Sequence, residues 1–305
     1  MIIGSGSHRY EWVEGWAKVP ATIQLGYTHG VAEDAQGNIY VHNASKDSVV
    51  VFDAHGNFIT SWGAAYAQGA HGMRLNTEAD GEYLYLSLTN QALVVKTDLN
   101  GREIWRIGTP DLPEIYDENR KFSPTESTVA PNGDVYIADG YGQPWVHVYG
   151  PDAAYKFSFG GPGSEPGQLN NPHGIMLDTR GSEPLILVSD RGNHRLQYFT
   201  LDGQFVRLTE GMLRLPCTTI QYQDEIYIPD LHSRMTILDK NDQLIAHVGE
   251  REEGWKIAGW PNIDHSLRQV GNFTSPHGLH VDKQGNVYMV EWISDGRITK
   301  LARVH

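Results

Sequence analysis

One phrase recurs along this 305-residue chain and limits what it can fold into. It runs His-Gly, an apolar stretch, Asp-x-x-Gly-Asn, then an aliphatic residue and Tyr. It reads His29-Gly30-Val31 to Asp34, then Gly37-Asn38-Ile39-Tyr40. It returns as His277-Gly278-Leu279 to Asp282, then Gly285-Asn286-Val287-Tyr288. Looser copies follow His71-Gly72 and His173-Gly174. Two more lack the histidine: Val129 to Gly133-Asp134-Val135-Tyr136, and Ile220 to Asp224-Glu225-Ile226-Tyr227. Six copies at a mean spacing of about 50 residues match the length of a propeller blade. Short apolar runs bounded by Gly, Asn and Asp predict four strands per copy. In the first copy these fall at 29–33, 39–43, 48–52 and 58–62. With no helical period, the reading is an all-β, six-bladed β-propeller with four-stranded blades, residues 1–305 forming one domain. The last copy offers only three strands. The segment 10–19 has no blade in front of it, so the N-terminal strand is expected to complete the last blade and close the ring.

Composition narrows the function classes. Hydrophobic residues are 40%, ample for a core without staples. A single cysteine excludes an internal disulfide. The net charge of −13 disfavours nucleic acid and anionic membranes as partners. No apolar run approaches the ~18 residues of a membrane span. Met1 to His8 has neither a basic nor a long apolar region, so the expected location is cytoplasmic. Two linkers are long, 107–124 and 250–276, and long insertions on a rigid scaffold often cover a binding site as lids.

The chemistry is expected where the His-Gly pairs begin the innermost strand of their copies. His71, His173 and His277 are separated by 102 and 104 residues, two blades each time. Alternate blades of a six-fold ring lie about 120° apart around one channel. Three equivalent imidazoles at that angle make a metal site with a vacant position for water or substrate. Zinc suits an imidazole-only set best, with iron, manganese and nickel as alternatives. His29 belongs to the same phrase outside the alternating set, as a spare ligand or supporting group. At the same level lie Glu126 and Cys217, the second read as a small buried residue. The turns after the second strands add Asn43, Asp139-Gly140-Tyr141, Asp190-Arg191, Asp230-Leu231-His232 and Glu291-Trp292, a polar pocket with an aromatic wall. Tyr141 is the candidate proton-transfer group and Arg191 the candidate holder of a negative oxygen. Arg195 is the better candidate for tying the blade together.

Ser189-Asp190-Arg191-Gly192-Asn193-His194-Arg195-Leu196 resembles the signature of the NHL-repeat family, and the resemblance extends over essentially the whole chain. The pattern is also similar to the peptidyl-α-hydroxyglycine α-amidating lyase family. That resemblance implies zinc on His71, His173 and His277, a catalytic Tyr141 in its Asp-Gly-Tyr turn, Arg191 near the substrate, Glu126 in a Pro-Thr-acid phrase, and a structural calcium. Three features depart from it. No arginine stands near His42-Asn43-Ala44, Ser275 replaces a methionine before the last histidine, and one cysteine cannot form the family's disulfides. The expectation is therefore a metal-dependent lyase on a small polyol, sugar-derived or α-hydroxy substrate, with epimerase or hydrolase chemistry behind it. The alternative is a non-catalytic propeller that binds a ligand or protein. Oligomeric state is left open.

Overall fold

The computed structural model describes residues 1–304. Strands form six antiparallel sheets, five of them built from four consecutive strands and the sixth from both ends of the chain, and these are the six blades of a β-propeller. The first blade has strands at Thr28–Glu33, Ile39–Asn43, Val49–Phe52 and Phe58–Trp62, within one residue of the expected limits. The chain divides into two compact units. The first unit holds Met1–Ala67 and Thr219–His305, with blades one, five and six; the second holds Gln68–Thr218, with blades two, three and four. Among the described residues no helix is long and apolar enough to cross a membrane.

Burial explains the composition of each strand. Val49–Phe52 is buried at every position, so an unbroken apolar run is required there. The outermost strand Phe58–Trp62 has an exposed middle and accepts Thr and Ser. Apolar side chains pack between neighbouring blades. In the second unit one cluster joins Tyr85, Val94, Ile137 and Tyr149, and another joins Val146, Val148, Ile186 and Val188. In the first unit Tyr10 and Trp12 pack with Tyr227, Met235 and Leu301.

The last blade is completed as expected, with two differences. Its added strand is His8–Val13, paired with Arg297–Arg303. It ends before 19 because Gly15 takes φ +60° and turns the chain away. Trp16 then packs on Phe52 and Tyr288, and the amide of Lys18 donates to the Gly56 carbonyl. The second difference is a fifth strand, Ile2–Ser5, paired outside His8–Val13.

A buried polar residue ends the second strand of several blades and accepts backbone N–H groups from the segment entering that blade. Asn43 accepts from Gly26 at 3.0 Å, Asp139 from Ser123 at 2.6 Å, Asp190 from Asn170 at 2.7 Å and Glu291 from Thr274 at 2.6 Å. Arginine compensates the buried charge in three blades. The pairs are Asp190–Arg195 at 2.7 Å, Asp230–Arg234 at 3.0 Å and Glu291–Arg297 at 3.1 Å. Blade three differs: Asp139 receives the hydroxyl of Tyr116 at 2.7 Å, supplied by the linker 107–124.

Candidate functional site

The His-Gly phrase has a packing reason. A Cβ at Gly72 would lie 2.3 Å from the Thr125 carbonyl oxygen, and one at Gly174 would lie 2.1 Å from that of Cys217. In the first unit a Cβ at Gly278 would lie 2.0 Å from the His29 carbonyl oxygen. Each glycine lets its innermost strand approach a neighbour closely, and the preceding histidine is fixed at that approach. His71 Nδ1 lies 2.7 Å from the Thr125 oxygen, which makes Nδ1 the protonated nitrogen and Nε2 the electron-pair donor. His277 Nδ1 faces the His29 oxygen in the same sense, at 3.5 Å.

In the second unit four of the expected residues meet. The rings of His71 and His173 lie 4.8 Å apart, both buried. The Tyr141 hydroxyl stands 3.3 Å from His71 Nε2 and 3.1 Å from His173 Nε2. Arg191 donates to that hydroxyl at 3.3 Å, and its guanidinium carbon lies 5.3 Å from the centre of the Tyr141 ring. Tyr141 as a residue is 46% exposed, but its hydroxyl sits among these groups. Loss of hydration pushes the phenol above its ordinary value, and the Arg191 charge opposes the rise. Cys217 is fully buried, with Sγ 3.8 Å from Arg191 Nη1.

Two positioning groups lack any sequence signal. Asn171 holds a left-handed backbone, φ 58°. Its side-chain oxygen accepts Arg191 Nε at 2.7 Å, and its amide donates to the Gly140 carbonyl. One asparagine thus sets both the arginine and the turn carrying Tyr141. Tyr116 acts from the other side through Asp139, which also accepts the Gln143 amide at 2.7 Å. Tyr116 Oη also lies 2.5 Å from His147 Nε2. Burial raises Asp139 to about 6 and lowers His147 to about 4.

The remaining expected residues have other surroundings. Glu126 is buried among the innermost strands of the second unit, bonded to Arg74 at 2.9 Å and Thr218 at 2.7 Å. Burial raises its carboxyl, against the pull of Arg74. Asn43 and Glu291 lie in the inter-strand ties described above. In the first unit His29 and His277 meet edge to face, with ring centres 4.8 Å apart. His232 and Trp292 are linked through Trp260.

Buried histidines of this kind offer donor atoms that could hold a metal ion. The Nε2 atoms of His71 and His173 both face the Tyr141 hydroxyl oxygen, and a backbone carbonyl fixes the tautomer of His71. No calcium site is assigned by these contacts.

No family model matches the chain. It is 27% identical over 289 residues to NHL repeat-containing protein 3 from Homo sapiens, covering 91% of this chain and 80% of that one. It is 30% identical over 173 residues to the peptidylglycine alpha-amidating monooxygenase of Rattus norvegicus. That match spans 53% of this chain and 17% of the relative. Among solved structures it resembles a catalytically inactive virginiamycin B lyase from Staphylococcus aureus with quinupristin. The TM-score is 0.62 at 11% identity, covering 97% of this chain and 100% of the other, a likeness of fold. The chain is a six-bladed β-propeller with homologues among the NHL-repeat proteins.

Proposed function

We propose that the chain is a metal-dependent enzyme of the lyase type acting on a small hydroxylated substrate, sugar-derived or α-hydroxy. The convergence of His71, His173, Tyr141 and Arg191 within one unit carries this reading. His71 and His173 are the ligands. The repeat register adds His277 as the third, a part of the proposal that rests on the sequence alone. A bound divalent metal, zinc by donor type, would polarise a hydroxyl or carbonyl oxygen of the substrate.

The other residues do the positioning and proton handling. With both Nε2 lone pairs engaged by a metal, the Tyr141 hydroxyl beside them would be left to give its proton to, or take one from, a substrate oxygen bound there. Arg191 keeps a positive charge beside it, where an oxygen gaining negative charge is stabilised. Asn171 holds Arg191 and the Tyr141 turn in one register. The relation to the amidating enzyme and the fold of the lyase support this chemical class.

Elemental mass spectrometry on protein purified without a histidine tag or chelator tests the reading. About one transition metal per chain is expected in the wild type, falling close to zero in His71→Ala and His173→Ala. A metal-free wild type after reconstitution with zinc, manganese and iron would overturn it.

A further inference from the structure

The first unit carries a row of five rings that the proposed chemistry does not use. Trp255 lies parallel to His232, with an interplanar angle of 8° and ring centres 4.8 Å apart. His232 meets Trp260 at 5.6 Å and 74°. Trp260 meets Trp292 at 6.2 Å and 67°, and Trp292 meets Tyr27 at 5.6 Å and 36°. All five residues are half-buried. Two of them, Trp255 and Trp260, come from the long insertion 250–276, which thus supplies two of the five rings.

The rings are set in advance by hydrogen bonds. The Trp260 indole N–H donates to the Thr274 carbonyl at 2.9 Å. The Tyr27 hydroxyl accepts the Asn262 side-chain amide at 2.9 Å, and the Trp292 amide donates to the Ser275 carbonyl at 2.8 Å. Fixed aromatic rings present a large contact area at little further cost in conformational freedom.

The row runs along the chain into the histidine pair of the same unit. Tyr27 stands two residues before His29. Trp292 follows Glu291, which pairs across the sheet with Pro276, the residue before His277. The ring angles speak to what is recognised. Junctions of 74° and 67° form two successive corners. Aromatic groups favour edge-to-face contact at roughly 4.5–7 Å between centres, so a further ring fits such corners on both its face and its edge.

We infer that this row is a recognition wall for an aromatic group of the substrate. The substrate class is then a hydroxylated molecule that bears an aryl ring beside the oxygen to be activated. This rests on the reading of His277 as a metal ligand.

Calorimetry and tryptophan fluorescence would compare lactate, phenyllactate and methyl glucoside on zinc-loaded and chelator-treated protein. Phenyllactate is expected to bind about tenfold more tightly than lactate or more, with a fluorescence change. Trp292→Ala is expected to shrink that gap to about threefold or less. Trp255→Ala, in the short turn Gly254–Lys256, serves as a second variant, and thermal melts check that both fold. Equal affinity for lactate and phenyllactate, or tighter binding of methyl glucoside, overturns the inference and leaves the metal reading standing. Phenyllactate binding that is unchanged by chelation, with no zinc dependence for either acid, overturns the metal reading instead.

Discussion

At the scale of the residue, the site depends on atoms that leave no room for exchange. Arg191 uses one guanidinium nitrogen for Asn171 and another for Tyr141. Lysine carries the same charge as a single point without that fork. Arg191→Lys should therefore lower kcat/KM on a turned-over substrate by about 10- to 100-fold while metal content stays at the wild-type level. Gly174→Ala should be as harmful as a change at His173, although it alters no reactive group. Its Cβ would fall 2.1 Å from a backbone oxygen that no rotamer change can move. We expect a loss of about 1–3 kcal/mol in urea denaturation, together with weaker metal binding. The histidines were legible at this scale because His-Gly recurs in one register. Asn171 and Tyr116 were not. Asn171 acts across 31 residues on Gly140 and Tyr116 across 23 on Asp139, and neither stands in a repeated phrase.

At the scale of the element, the turn 139–143 rests on a buried carboxylate paired with a phenol and an imidazole instead of an arginine. The two titratable ends of this chain work against each other. The folded state raises Asp139 to about 6, so its contribution is full below about pH 4 and is lost as pH rises to about 6. The folded state lowers His147 to about 4, so its contribution is full above about pH 6.5 and is lost as pH falls to about 4. The wild type should show a shallow dependence between pH 4 and 6.5. His147→Gln should leave a stability that falls with rising pH across that window, and Asp139→Asn one that rises. Urea midpoints taken at half-unit pH intervals read the slopes, and slopes of the same sign in both variants would refute the coupling. The carboxylates illustrate what spacing alone conceals. Glu126 and Glu291 end or begin strands near the histidines, and in the sequence such residues look alike whether they line a pocket or tie strands together. Their partners Arg74, Thr218 and Arg297 come from other copies or other strands.

At the scale of the whole molecule, six sheets follow from six copies of one phrase. The phrase records turn chemistry, which repeats, more faithfully than it records strands. That is why blade limits were readable and the strand Ile2–Ser5 was not: it belongs to no copy and has no turn phrase of its own. The N-terminal strand His8–Val13 brings Tyr10 and Trp12 into the cluster that joins blades five and six. Truncating a buried large aromatic side chain costs about 3–5 kcal/mol, against a total stability of about 5–15 kcal/mol. A chain lacking residues 1–13 should therefore lose its cooperative thermal transition, and Trp12→Ala alone should lower the midpoint by several degrees. A truncated chain that melts as the full chain does would mean that the last blade closes without its added strand.

The close approach at Gly72, Gly174 and Gly278 has a consequence for how such a protein can change. The separation between adjoining innermost strands is gauged by a single hydrogen atom on an α-carbon. Nothing larger fits and nothing smaller exists, so this level of the fold has one permitted setting. Diversification is then confined to the loops, the long insertion 250–276 with its tryptophans among them. A lineage built on this frame would alter what it recognises many times while its histidines stayed at one fixed spacing.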